Sequence, residues 1–446
     1  LYISGLGLYE CYINGKRVGE SVLAPTATDY STNVPYNTFD VSEFVKDKQN
    51  AIGVTLGNGR FFAMRLGDPS AGLLGSLRQF GFPKLLAQLE IEYENGERQV
   101  VVTDTTWRLT TDGPIIANNE FDGEEYDASK ELGKWSEAGY DDSAWMNARS
   151  VGAPEGALHA QRNPNIRVME EIDPVAISQL NDSTYILDMG QNMVGWLNVT
   201  LKGEKGEPVR LRFAETLQDD GNLYVDNLRG AKATDLYTPA EDGTFSWTPR
   251  FTYHGFRYVE IAGAAAKPDL EKLKGEVVYD AMPTTGRFET SDSTINQVYR
   301  NAYWGLRGNY RSMPTDCPQR EKNGWTADAA LAIDLALLNY DGILFYEKWF
   351  DDVADNIRED GRIAGIIPTS SWGYDDWIGP VWDASILIIP NAIYNYYGDK
   401  RTIEKIYPTV EKYLTYLKTR EDSTGLVTYG IGDWVFYKTQ TPTAYT

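Results

Sequence analysis

Along the first part of the chain, apolar and polar positions alternate with the two-residue period of half-buried strands. Leu8-Tyr9-Glu10-Cys11-Tyr12-Ile13 runs into Asn14-Gly15, the dipeptide of a tight hairpin, and continues as Lys16-Arg17-Val18. Further strands are predicted at Asn50–Leu56, Leu85–Tyr93 and Gln99–Thr103, with Asn95-Gly96 in the turn between the last two. Residues 1–170 therefore read as an antiparallel β-sandwich, in which Trp135–Trp145 is irregular surface wrapping. Over 171–284 the segments Thr184–Leu187, Trp196–Leu201, Val209–Ala214, Asp235–Tyr237 and Phe256–Ile261 predict a second antiparallel sandwich, with Pro268 and Pro283 at its exit.

After about residue 288 the period changes to that of helices. Ser291-Asp292-Ser293-Thr294 can cap Ile295–Arg307, where Ile295, Val298, Tyr299, Ala302 and Leu306 recur at helical spacing. Trp325–Leu338, Phe345–Ile357, Ala384–Tyr397 and Thr402–Lys418 are further helical segments, separated by loops rich in Gly, Pro, Asp and Trp. Residues 285–446 thus form an α-domain, and the plan is β, β, then α.

Composition removes several kinds of chemistry. A net charge of −22 with dispersed acids makes nucleic acid a poor partner, and no run of apolar residues is long enough for a membrane-spanning helix. Two cysteines, Cys11 and Cys317, and two histidines, His159 and His254, speak against a disulfide framework, a thiolate zinc site and a Ser-His-Asp triad. No cofactor is implied. Carboxylates remain as the plentiful acid–base groups. Abundant aromatics, 12 Trp and 29 Tyr, suit sugar stacking as well as sheet packing.

The densest chemistry lies at Pro314-Thr315-Asp316-Cys317-Pro318-Gln319-Arg320-Glu321-Lys322-Asn323-Gly324-Trp325-Thr326-Ala327-Asp328. Pro314, Pro318 and Gly324 keep it in a loop, where catalytic groups concentrate. Asp328 falls in the first turn of the next helix, where the dipole favours an anion. Glu321, between Arg320 and Lys322, is a proton donor or an ion-pair partner depending on burial, and Trp325 can floor a sugar ring. Glycoside hydrolysis needs one carboxyl held protonated and another ionised across the bond. The structural alternative pairs Asp316 with Arg320 on a surface turn and leaves Asp328 as a helix-start acid. A second cluster, Trp372, Asp375, Asp376, Trp377, Gly379, Pro380, Trp382 and Asp383, and a third, Gly430-Ile431-Gly432-Asp433-Trp434, repeat the Asp–Trp theme. Together the three favour a carbohydrate cleft. Three other features have structural explanations: His254 as a hydrogen-bonding group, Cys317 as a packed thiol, and Asp219-Asp220-Gly221 as a hairpin turn.

The 314–328 block resembles the most characteristic block of bacterial α-L-rhamnosidases. Gly7-Leu8-Tyr9, Ile13-Asn14-Gly15, Asp29-Tyr30, Leu56-Gly57-Asn58-Gly59, Gly113-Pro114-Ile115 and Asp122-Gly123-Glu124-Glu125-Tyr126-Asp127 are similar to that family's N-terminal β-sandwich. Asp188-Met189-Gly190-Gln191-Asn192, Gly195-Trp196, Glu215 and Phe251-Thr252-Tyr253-His254-Gly255-Phe256-Arg257-Tyr258 resemble its second β-domain. The resemblance implies an inverting glycosidase with an (α/α)6 six-hairpin barrel acting on α-L-rhamnosides. It places Glu321 as general acid, Asp316 and Asp328 as acids that hold rhamnose hydroxyls or tune the site, and Arg320, Trp325, Trp382, Asp383, Asp433 and Trp434 as substrate-binding positions. Calcium in the first β-domain stays open. Two departures stand out: Arg320 to Gly324 is one residue shorter than in many members, and Lys322-Asn323 brings no second acid. The family's general base belongs to the second half of the barrel, of which residues 285–446 supply the first, so a polypeptide continuing past Thr446 is expected. A periplasmic or secreted location fits the chemistry of rhamnoside breakdown, with a cytoplasmic one as the alternative. The alternatives are a non-catalytic carbohydrate-binding protein with a truncated or degenerate barrel, and a glycosidase of the same barrel type acting on another sugar. The aglycone and the oligomeric state are not encoded in these patterns.

Overall fold

The computed structural model describes residues 1–62, 80–369, 374 and 378–431. They divide into two compact units, one holding 1–161 and 165–279, the other 162–164 and 280 onward.

The first unit is β-structure. A five-stranded sheet takes the order Ala157–Ala160, Asn33–Thr38, Tyr2–Leu6, Lys84–Glu92, Arg98–Val102. It faces a three-stranded sheet of Lys16–Arg17, Leu8–Ile13 and Ile52–Gly57. Ile3, Ala87 and Leu89 of one sheet and Tyr9, Cys11 and Ile13 of the other meet in a single buried cluster, as alternation in each strand requires. Asn14 and Gly15 both have positive φ, +52 and +80, the backbone that a two-residue hairpin with the native strand twist demands.

A ten-stranded sheet makes up most of the rest of this unit. Its spine is the 20-residue strand Thr184–Gly203, where two predicted segments are one continuous element. Between Asp188 and Met193 the register with His254–Ala262 shifts, which lets one strand serve several neighbours along its length. Ile115–Asn119 and Gly123–Asp127, from the first predicted sandwich, complete this second sheet; Glu125–Asp127 runs parallel to Leu236–Thr238.

Where those strands meet, the segments Asp122–Asp127 and Phe251–Tyr258 are tied by buried polar groups. The Glu124 carboxylate accepts from the Arg250 and Phe251 N–H groups at 3.1 and 3.0 Å. Asp235 Oδ1 accepts from Glu124 N–H at 2.9 Å and lies 2.9 Å from His254 Nε2, whose ring stacks on Phe213. His254 thus has the structural task expected of it. The Asp219–Gly221 segment is a hairpin turn: Gly221, at φ +85, donates its N–H to Gln218 O, and the strands Thr216–Leu217 and Leu223–Tyr224 pair across it.

The second unit is helical: α1 (Ser293–Arg307), α2 (Thr326–Asn339), α3 (Ile343–Asp355), the single turn α4 (Pro380–Asp383), α5 (Ser385–Tyr397) and α6 (Arg401–Lys418). Asp292 caps α1 by accepting from Thr294 and Ile295 N–H, as predicted. Trp349, Phe345, Val353, Ile333, Ile389, Ile393 and Ile406 fill the core between α2, α3, α5 and α6. The apolar stripe of α1 is only partly covered: Leu306 is buried, while Ile295 and Val298 are exposed among the described residues. Trp382 and Asp383, expected in a loop, sit instead in α4. Pro380 can open that turn because the first N–H of a helix has no intrahelical acceptor.

Candidate active site

The three carboxyls of the 314–328 segment are held by a path that begins well before them. Tyr310–Arg311 and Met313–Pro314 form a minimal hairpin with Ser312, at φ +65, as its tip. Asp280 Oδ2 accepts from Ser312 N–H at 2.7 Å, and Lys348 on α3, itself paired with Asp352 at 2.7 Å, donates to Ser312 O at 3.4 Å. Burial pushes Asp280 up to about 7, against the pull of Ser312 N–H, Arg311 and Lys348. Thr315 N–H then donates to Asn309 O. The chain reaches Asp316 along a fixed course.

Asp316 and Asn323 close the loop on itself. Asp316 N–H donates to Asn323 O, and Asn323 N–H returns to Asp316 Oδ1, both at 2.9 Å. Pro318 and the positive φ of Lys322 exclude a continuous helix between them. Beyond the loop, Gly324–Thr326 runs along Gly365–Ile367: Ile367 N–H donates to Gly324 O at 2.8 Å and Thr326 N–H to Gly365 O at 2.9 Å. A Cβ at position 324 would stand 2.0 Å from Ile367 O, so the rail accepts only glycine there. Trp325 leads directly into α2, whose first turn carries Asp328.

Inside this frame the carboxyls influence one another. Burial pushes Asp316 up to about 7, and the nearby charges of Glu321 and Asp328 push in the same direction. Asp328 is raised as well, by burial first and Glu321 second. Glu321 Oε2 accepts the indole N–H of Trp325 at 3.0 Å, while Oε1 lies 3.7 Å from Arg320 Nε. Arg320 therefore stands beside Glu321, and Asp316 takes its bonds from Asn323 and from the Cys317 thiol. The surface-turn pairing of Asp316 with Arg320 does not form.

The second cluster reaches the first through its aromatic ring. Trp382 meets Trp325 edge to face, with ring centroids 6.4 Å apart. Asp383 is buried and pushed up to about 7 by that burial; the Tyr413 hydroxyl of α6 faces it and pulls the other way, without closing a well-formed hydrogen bond. Trp382 Nε1 and Asp383 Oδ1 are buried with no hydrogen-bond partner among the described residues. Buried polar atoms of this kind are uncommon and mark places where a further group can bind. The third cluster begins beside the second: Ile431 N–H donates to Ile378 O at 2.9 Å, and Gly430 Cα packs against Gly379. Asp433 and Trp434 lie outside the described residues, as do Trp372, Asp375, Asp376 and Trp377. Tyr413, some thirty residues from Asp383 in sequence, had no local signal; nor had the rail at 365–367. No group of three or more His, Cys, Asp or Glu placed to hold a metal ion occurs among the described residues.

Known families now divide the chain as follows. Residues 1–170 match the α-L-rhamnosidase N-terminal domain, 178–279 the bacterial α-L-rhamnosidase concanavalin-like domain, and 283–446 the bacterial α-L-rhamnosidase six-hairpin glycosidase domain. The chain belongs to the bacterial α-L-rhamnosidase family. An α-L-rhamnosidase of Streptomyces avermitilis is 36% identical over 445 residues, 99% of this chain and 42% of the relative. One of Formosa agariphila is 31% identical over 452 residues, 97% of this chain and 47% of the relative. Among solved structures, α-L-rhamnosidase from Dictyoglumus thermophilum is 40% identical with a TM-score of 0.91, covering 98% of this chain and 48% of that one. The Streptomyces avermitilis α-L-rhamnosidase complexed with L-rhamnose also gives 0.91, at 36% identity, 99% of this chain and 42% of that one. The chain thus spans less than half the length of the curated relatives it matches. Asp316, Glu321, Asp328, Trp382 and Asp383 all fall within the six-hairpin glycosidase domain of the α-L-rhamnosidase family.

Proposed function

We propose that this chain carries the acid side of an α-L-rhamnosidase site, with Glu321 as the group that protonates the glycosidic oxygen. The observation that supports this most is the trio itself. Glu321 stands beside two carboxyls that burial and mutual repulsion push upward, and it is oriented by the indole N–H of Trp325. A proton donor must be held in a fixed orientation toward the leaving oxygen, and the Trp325 indole N–H holds one oxygen of Glu321. Asp316 and Asp328 then accept from sugar hydroxyls, and Trp325 with Trp382 presents an aromatic corner for the apolar face of the ring. L-Rhamnose as the glycone is supported by the relative that was solved with that sugar. Inversion follows if a water, activated by a second carboxylate about 6.5–9.5 Å from the first, attacks the opposite face.

The test is hydrolysis of an aryl α-L-rhamnopyranoside, with NMR reporting the anomer released first. Prompt β-rhamnose establishes an inverting rhamnosidase. If neither this chain nor a longer polypeptide containing it turns the substrate over, yet L-rhamnose binds, the site belongs to a carbohydrate-binding protein instead.

A further inference from the structure

Cys317 sits in the middle of the acid-bearing loop and has no part in the proton transfer just described. Its surroundings nevertheless give it a specific task. Burial, reinforced by the Asp316 carboxylate, pushes the thiol up to about 12, so it remains S–H at any ordinary pH and is no nucleophile. An S–H that does not ionise can donate, accept weakly through its sulfur, or pack. Here it donates: Sγ lies 2.9 Å from Asp316 Oδ2. The other oxygen, Oδ1, accepts Asn323 N–H, and the Asp316 main chain is tied to Asn323 O.

We propose that Cys317 is a positioning residue, whose thiol and the Asn323 N–H hold the two oxygens of Asp316 and so fix the plane of its carboxyl in the site. A carboxylate bonded at one oxygen can still rotate about its last torsion; bonded at both, it cannot. The choice of sulfur has a physical reason. A thiol is weakly hydrated and behaves as a small hydrophobe, so burying it beside the loop costs less than burying a hydroxyl, while it keeps one donor. The bond also sets charge. Glu321 from the same loop and Asp328 from α2 disfavour the ionised form of Asp316, as does burial; the thiol and Asn323 N–H favour it. Removing the thiol raises the Asp316 pKa further, and less of the carboxyl is ionised at neutral pH.

The role in catalysis rests on the rhamnosidase reading, but the bond does not, and the infrared S–H stretching band separates them. The chain has two cysteines, and Cys11, buried with no acceptor among the described residues, supplies an internal reference. A Cys317 band, identified by its loss in C317A, is expected below that of Cys11, moving lower as pH rises through about 7 and relaxing toward the reference in D316N. A Cys317 band no lower than that of Cys11 in the folded wild type overturns the proposal without any site variant. Where the wild type hydrolyses rhamnosides, C317A is expected to lose about tenfold in kcat, the effect of one hydrogen bond to a charged group. The acidic limb of its pH profile should move upward, and C317S should restore both. Wild-type kinetics in C317A, despite a lowered band, would show that the bond positions nothing. A wild type that neither binds nor hydrolyses rhamnosides removes the proposed function, and the band alone then decides whether the thiol holds Asp316.

Discussion

Glu124 in the β-unit and Asp316 in the helical unit are both carboxyls that burial pushes upward, to about 8 and about 7, yet they are wired for opposite ends. Glu124 is fully buried and accepts two main-chain N–H groups, while its own N–H is held by Asp235, which also meets His254. These bonds tie the strand of Glu124 to the connection at 250–251, to the strand of Asp235 and, through Asp235, to the strand of His254. Asp316 keeps partial exposure, two donors from its own loop, and two further carboxyls as neighbours. A raised carboxyl alone therefore does not mark a site. What distinguishes this one is partial exposure together with two further carboxyls close enough to raise it.

Four measurements sharpen this contrast. The largest effect is expected at Glu321: E321Q should lower turnover of an aryl α-L-rhamnoside by roughly 10²–10⁴-fold in any polypeptide of this sequence that hydrolyses it, with the melting temperature little changed. Unaltered turnover would take the acid away from Glu321. In the β-unit the balance is reversed. D235A strips Glu124 N–H and His254 of their buried acceptor and should cost about 3 kcal/mol in urea unfolding.

Third comes pH. Glu124 has a folded pKa above its unfolded value near 4.5, so the native state holds more protons than the unfolded one between about 4.5 and about 8. The stability this proton supports is complete below the unfolded value and is lost as pH rises through the folded one. E124Q should flatten the fall of stability over pH 5–8, which in the wild type has a slope of up to about 1.4 kcal/mol per pH unit from this group. Identical slopes in the two proteins would show that Glu124 stays ionised. The smallest effect is the control outside both clusters: D292A removes the cap of α1 and should cost about 1 kcal/mol without altering the pH slope.

Much of this was legible in the residue pattern. Asn14-Gly15 specified its turn because few other dipeptides tolerate two positive φ values in succession. The helix ends were readable from Asp292 and from the loop-forming Pro318 and Gly324, and α2 begins one residue after Trp325. The carboxyl-rich loop was legible as a candidate site, since three acids among helix breakers fall in a loop, where catalytic groups concentrate. Other features were out of reach. That Ile115–Asn119 and Gly123–Asp127 complete the second sheet depends on pairing with Leu236–Thr238 more than a hundred residues away.

Local chemistry, then, determined which segments became strands, turns and helices, and which residues could carry acid–base work, because dihedral preference and side-chain polarity act over a few residues. Tertiary structure decided the rest. It gave Asp316 its thiol and amide partners, set Trp325 against Trp382, laid Gly324 on Ile367, and chose between a buried brace at Glu124 and an accessible acid group at Asp316. Desolvation and charge–charge repulsion depend on distances through space, and no spacing along the chain contains them.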